Sequence, residues 1–358
     1  MKKSQAFALF LAAAVLAVNP GSSTAQDQPG GGSLTGDLMG GAALIFRKPP
    51  DPVALVGGGT SRTERSGGRT SRTGGGGGRV AGTGRTRSSS GSAQDRIIAK
   101  GNAARSAPTP RYSEAELQYK LAAKEDPNDA RAHLGLGNVY LDQGRFANAV
   151  EAYRQAIKVK PDYIDAYQPL GYSLVRLNRF PEAIETFNEA LKYDAENAEL
   201  YNNLAFAYTH AEKYQEAIEA GQRAIELLGQ TGSAYRQGLQ NRNEVLSHAY
   251  KNLGNAYNGL NQYNEAADAL KHAAEIEPKN AAAHFNLGLA LYNGRRYSEA
   301  IEAYKAVIKL RPQLAAAYYN LGLTYVAVDD KESARKQYDI LKPLNANMAS
   351  QLQSVIKR

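Results

Sequence analysis

From about residue 130 onward, apolar and small residues return in fixed columns. A leucine followed by a small residue occurs at Leu136-Gly137, Leu170-Gly171, Leu204-Ala205, Leu253-Gly254, Leu287-Gly288 and Leu321-Gly322. Successive small residues are separated by 34, 34, 49, 34 and 34 positions. Twelve residues beyond each stands an alanine: Ala149, Ala183, Ala217, Ala266, Ala300 and Ala334. Between the two columns lies an aromatic, at Phe146, Phe180, Tyr214, Tyr263 and Tyr297. A large residue follows the alanine at Tyr153, Phe187, Leu270, Tyr304 and Tyr338, with Gly221 the exception. Pro127, Pro161, Pro278 and Pro312 close their segments.

Each column has a physical reason. Leucine and tyrosine recur at helical spacing, which predicts an amphipathic helix, a short turn and a second helix in every unit. The small residue marks the place where the two antiparallel helices cross too closely for a branched side chain. Proline cannot continue the second helix and so ends the unit. One hairpin buries a single face, and stacked hairpins supply the shared core. The predicted fold is all-α, a solenoid of helix hairpins.

These columns resemble the tetratricopeptide repeat family over residues 130 to about 341. A degenerate unit precedes them, with Gly101-Asn102-Ala103 in its first helix, Tyr112, Ala115, Tyr119 and Ala122 in its second, and about two extra residues around Pro108 and Pro110. The resemblance implies a right-handed α/α superhelix whose first helices line a concave groove for a protein or peptide partner. The family's usual tryptophan is replaced by His133, Tyr167, Tyr201, Tyr250, His284 and Tyr318. Pro169 stands inside a first helix and is expected to distort it. The 49-residue step is one repeat plus fifteen residues, around Gly229 to Asn243, and suggests two blocks separated near residue 235 with a projecting loop. The domain reading is a leader over 1–25, a tail over 26–93, the degenerate unit over 94–129 and three units over 130–228. An insertion over 229–246, three units over 247–341 and a capping helix over 342–358 complete it.

The leader carries Lys2 and Lys3, an unbroken apolar run from Ala6 to Val18, the breaker Asn19-Pro20-Gly21 and the small residues Ser23-Thr24-Ala25. That is the layout of a cleavable secretory signal, and its apolar run falls short of the ~20 residues that a spanning helix needs. The chain is therefore expected to be exported, to a periplasm or to the outside. The lack of any Asn-x-Ser/Thr sequon favours a bacterial envelope.

Charge refines the picture. The chain carries a net +8, yet residues 26–110 hold twelve basic and five acidic residues, and positions 111–358 hold 29 and 30. The array is near neutral and the tail is basic. In the tail, Arg62, Arg65, Arg69, Arg72, Arg79, Arg85 and Arg87 are spaced by Gly, Ser and Thr, a composition that cannot bury enough apolar surface to fold. It suits either a solvated linker or contact with an anionic surface or polymer. No aromatic residue lies between Arg62 and Arg105, so a base-stacking nucleic-acid signal is missing. Within the same tail, Ala42 to Phe46 and Val53 to Val56 flank Arg47-Lys48-Pro49-Pro50-Asp51-Pro52, a pattern fit for a short strand pair or a docking motif.

The candidate contact residues lie in the later units. Asn203, Asn252, Asn286 and Asn320 each precede the leucine of the small-residue pair, so stacking should align them along one groove line. Side-chain amides both donate to and accept from an extended backbone. The family resemblance adds a second comparison, the carboxylate clamp of some members. Lys251, Asn255 and Asn286 match three of its positions, but Ala316 and Asn320 stand where basic residues belong. No catalytic site, cofactor or metal is expected. The chain has no cysteine, which removes thiol chemistry and disulfides, and its five histidines show no ligand spacing. Paired acids such as Glu216 and Glu219 fall on polar helix faces.

Overall fold

A computed structural model describes residues 93–229 and 242–357. The leader, the tail arginines and the centre of the insertion lie outside the described residues. Within them the chain forms fifteen helices. The first seven hairpin members are α1 (Ala93–Arg105) with α2 (Tyr112–Glu125), α3 (Ala130–Asp142) with α4 (Phe146–Val159), and α5 (Ile164–Arg176) with α6 (Phe180–Leu191), followed by α7 (Ala198–His210). Its partner α8 (Tyr214–Gly229) leads to α9 (Arg242–Gly259), α10 (Tyr263–Ile276), α11 (Ala281–Asn293) and α12 (Tyr297–Leu310). The array ends with α13 (Ala315–Ala327), α14 (Lys331–Leu344) and the cap α15 (Ala346–Ile356). Odd-numbered helices open each hairpin and even-numbered ones close it.

The ring column sits directly on the small-residue column. Phe187, fully buried, lies over Gly171, where any Cβ would overlap its ring. Tyr153 covers Gly137 and Tyr304 covers Gly288 in the same way. The final unit departs from this, because Leu352 of α15, not Tyr338, fills the space above Gly322. The cap is thus part of the last hairpin's core, with Ala349 and Ile356 buried beside it.

The column that replaces tryptophan has a polar tip, and that tip is used. The Tyr167 hydroxyl donates to the Pro161 carbonyl at 2.6 Å, and the Tyr318 hydroxyl to that of Pro312 at 3.0 Å. Nε2 of His133 and of His284 sits 3.0 and 3.1 Å from the carbonyls of Pro127 and Pro278. Four first helices, α3, α5, α11 and α13, are therefore tied to the turns that deliver them. Asp129, Asn197, Asn280, Asp330 and Asn345 cap helix starts, each accepting from backbone N–H groups of the first turn.

Two expectations are corrected, the bounds of the insertion and the split of the array, and a third concerns Pro169. Pro169 stands inside α5, as the sequence places it, and the helix continues through it from Ile164 to Arg176. The carbonyl that its missing N–H leaves free belongs to Asp165, which is exposed, so water can satisfy it. The insertion is narrower than 229–246, since α9 starts at Arg242 and Val245 is buried with Leu227, Leu228 and Ala198. Arg242 Nε and Nη2 both donate to the Leu228 carbonyl, at 3.0 and 2.8 Å, closing the gap between α8 and α9. The array is also continuous there and not split. Gly221, which lacks the ring of the other units, lets Leu253 approach α8, and Asn252 Nδ2 donates to Asn202 Oδ1 at 2.9 Å across α7 and α9.

The first unit is fastened by charge. Arg105, 2% exposed in its side chain, pairs with Asp142 at 2.7 Å, and Arg131 bridges Asp95 and Asp129 at 2.8 Å each. Arg131 is held protonated above the usual guanidinium range, by its hydrogen bond to Asp129 first of all.

Two measurements follow from this packing. Gly171→Ala forces a methyl into the Phe187 ring and should cost about 1–3 kcal/mol, read as a lower urea midpoint, while the added Phe187→Leu substitution recovers part of it. His248 in α9 has no partner at Nδ1, and burial, reinforced by the Lys251 charge and opposed by Glu277, pushes its pKa down to about 4. Unfolding restores an ordinary imidazole that binds a proton more readily, so stability should fall as pH drops from about 6.5 to 4. His248→Gln should flatten that part of the stability–pH curve; an unchanged slope would assign it to other groups.

Candidate functional site on the inner face

Successive first helices touch one another at α1–α3, α3–α5, α7–α9, α9–α11 and α11–α13, whereas second helices do not pack against second helices to that degree. The array curves toward its first helices, whose least buried line faces the hollow. On α5 that line is Asp165, Gln168, Tyr172 and Arg176. On α9 it includes His248, Asn255, Asn258 and Gly259.

The asparagines of the predicted ladder are covered and not open to the hollow. Asn203, Asn252, Asn286 and Asn320 are 1%, 0%, 5% and 7% exposed. Their column lies on the flank of each first helix, where the neighbouring first helix packs, and a buried amide must find partners there. Asn252 Nδ2 reaches the Asn202 side chain and, at 3.2 Å, its backbone carbonyl, while Asn202 Nδ2 donates to Asn203 Oδ1 at 3.3 Å. These amides join helices. The clamp comparison fares differently. Asn286 Nδ2 donates to Asn255 Oδ1 at 3.1 Å, and Lys251 stands one turn before Asn255 on α9, so three of its positions do converge. Lys251 is 7% exposed, and the uncharged Ala316 and Asn320 add no cation.

What distinguishes Asn255 is the partner it lacks. Its column held Asn102 and Asn138 in earlier units, where the ring-column hydroxyls of Tyr119 and Tyr153 donate to them at 2.6 and 2.9 Å. In the α9–α10 hairpin that ring is Leu270, which has no hydroxyl, and Asn255 Oδ1 accepts from Asn286 Nδ2 instead. Asn255 Nδ2 is left without a partner, and so is Asn258 Oδ1 three residues on, both screened from water. A donor and an acceptor without partners thus lie within one turn of α9. Asn258 stands outside the repeat columns, and no sequence signal singles it out.

Toward the first units the same face changes character and becomes aromatic, around Phe146, Tyr172, Phe180, Phe206 and His210, all half-buried. Among the described residues no group of three or more His, Asp and Glu side chains is placed to hold a metal ion, and no helix is long and apolar enough to cross a membrane. The tail positions Arg62 to Arg87 lie outside the described residues.

Family models described as TPR repeat and tetratricopeptide repeat match residues 137–178 and residues 169–230, 251–315 and 293–349, together more than half of the chain. No curated protein matches it. Among solved structures, a tetratricopeptide repeat protein from Parabacteroides merdae is 15% identical, with a TM-score of 0.53, over 74% of this chain and 99% of that one. The pilF protein of Pseudomonas aeruginosa is 21% identical, with a TM-score of 0.50, over 64% of this chain and 99% of that one. YrrB, described as a TPR protein with an unusual peptide-binding site, is 24% identical with a TM-score of 0.46, over 57% of this chain and 100% of that one. Stacked helix hairpins with these columns, matched by these models over more than half of the length, belong to the tetratricopeptide repeat family.

Proposed function

We propose that the chain is a non-catalytic scaffold of the cell envelope that holds an extended segment of a partner protein along its inner face. Tetratricopeptide repeat proteins are generally protein- or peptide-binding scaffolds, which supports the class of partner. The observation that carries the finer reading is the unpartnered pair Asn255 Nδ2 and Asn258 Oδ1. A buried polar atom left unmade costs about 1–3 kcal/mol, so a ligand that supplies both missing bonds is favoured. A helical partner has already satisfied its own backbone N–H and C=O groups, whereas an extended one presents both. Export rests on the leader over 1–25 alone. A second contact is supported by the division of charge: the basic tail beside a neutral array suits an anionic surface or polymer.

Panning a library of unstructured peptides against the full chain, followed by calorimetry on the captured sequences, tests the inner-face reading. Asn258→Leu should weaken a captured peptide by roughly 3- to 10-fold without lowering the thermal midpoint, and Asn255→Leu should weaken it likewise while also lowering the midpoint, since it removes the bond from Asn286. Leu270→Tyr, which returns the ring found in the sister hairpins, brings a hydroxyl oxygen that can accept from Asn255 Nδ2 and should weaken binding likewise. Peptide affinity indifferent to all three variants would refute the site. The tail reading is checked separately by sedimentation with anionic vesicles, where replacing the seven arginines from Arg62 to Arg87 with glutamine should abolish binding.

A further inference from the structure

The unmade hydrogen bonds of α9 do not end with Asn255 and Asn258. His248 Nδ1, on the same helix, is also buried without a partner. His248 stands seven residues before Asn255 and ten before Asn258. A helix returns to nearly the same direction after seven residues, so the three side chains share the inner face of α9. Each of the three residues is half-buried and not enclosed, so a rotamer change brings its polar atom to the hollow. Burial, reinforced by the Lys251 charge, keeps the imidazole neutral. Glu277, the acid whose charge acts on it, is engaged elsewhere: Ser247 Oγ and Asn280 Nδ2 donate to its Oε2 at 3.0 and 2.8 Å. A neutral imidazole protonated at Nε2 offers Nδ1 as an acceptor. The line along α9 then reads acceptor, donor, acceptor.

That line belongs to one helix. At the corresponding positions α11 has Ala282, Leu289 and Tyr292, and α13 has Ala316, Leu323 and Val326. Both helices continue the packed series of first helices from α9. A chain passing from unit to unit leaves the polar atoms of α9 for apolar ones, whereas a chain laid along α9 meets all three. One edge of an extended chain presents its N–H and C=O groups at every second residue. From His248 to Asn258 the helix rises about 15 Å, and four extended residues advance about 14 Å, a difference smaller than the reach of the side chains. In that register the N–H groups of a first and a fifth residue face His248 and Asn258, and the carbonyl of the third faces Asn255.

We propose that the extended partner segment lies along α9, and that His248 sets its register by accepting from a backbone N–H four residues away from the one that Asn258 accepts. The inference rests on the inner face being a contact surface and adds the orientation of the segment and a third contact. With one backbone edge turned to α9, the side chains of the segment point alternately to either side. Those toward α11 meet Ala282, Leu289 and Tyr292, all half-buried and none charged. The site therefore takes a segment with apolar residues at alternate positions.

A captured library peptide, prepared as a series with single backbone N-methyl groups, tests this by calorimetry against the full chain. Two positions four residues apart should each lose roughly 3- to 10-fold in affinity, one hydrogen bond apiece. The loss at one should vanish in His248→Leu and the loss at the other in Asn258→Leu, because the matching acceptor is already gone. His248→Leu leaves no polar atom unmade there, so its thermal midpoint should not fall. His248→Asn, which keeps an acceptor near the place of Nδ1, should bind the unmodified peptide more tightly than His248→Leu. Sensitive positions at any other spacing, or losses that persist in the matching variants, would overturn the proposal. If His248→Leu is silent while Asn258→Leu weakens the peptide, only this inference falls; if Asn255→Leu and Asn258→Leu are silent too, so does the inner-face reading.

Discussion

Everything in the array depends on how closely two antiparallel helices can cross. In four hairpins a ring of the second helix lies where a side chain of the first would begin, as Phe187 does over Gly171, and Leu270 and Leu352 fill the same place over Gly254 and Gly322. That contact fixes the crossing point, and the crossing point fixes which residues of the first helix face its partner, its neighbour and the hollow. Dispersion contacts around such a ring are individually small, but interiors packed to crystal density lose them steeply when a gap opens. The ring column also determines polar pairing, since a tyrosine there brings a hydroxyl to the asparagine one residue beyond the small position, as between Tyr153 and Asn138. Geometry and hydrogen bonding are coupled through one side chain.

The joint between α8 and α9 shows the same constraint relaxed. Gly221 replaces the ring, and Leu253 moves in against it. The closer approach of α7 and α9 brings Asn202 and Asn252 into contact, and their buried amides pair because neither can reach water. A fifteen-residue addition to the repeat is accommodated by extending two helices and joining them through Arg242 and the Leu228 carbonyl. A surface insertion costs little by chain entropy alone, which grows only slowly with loop length. The packing beneath it decides whether the array continues.

The fold was legible in the sequence because a 34-residue period states the hairpin, the crossing and the stack at once. The site was less so. Column position tells which face of a helix a residue occupies, but not how near the next helix lies on that side. Asn203, Asn252, Asn286 and Asn320 were read as a groove line on spacing alone, and inter-helix distance places them inside. Asn255 was marked through a family comparison, though the stronger sign was Leu270 in a column of rings. The aromatic stretch of the inner face was hidden because it is assembled from successive units, from second helices and the first helices that follow them. Only stacking brings those together.

The inner face therefore divides by chemistry as well as by position. Over α4 to α7 its walls are flat rings that gain from any apolar or planar group laid on them, with little demand on direction. At α9 the wall turns polar, and an isolated amide donor and acceptor impose a direction and a register. Neither half alone specifies a ligand well: rings accept many groups, and one peptide unit is much like another. On the proposed reading the two halves together would select a chain that is extended, apolar at one end and unpaired in its backbone at the other. Such selection needs no charged anchor, which agrees with a near-neutral array whose clamp positions at Ala316 and Asn320 carry none.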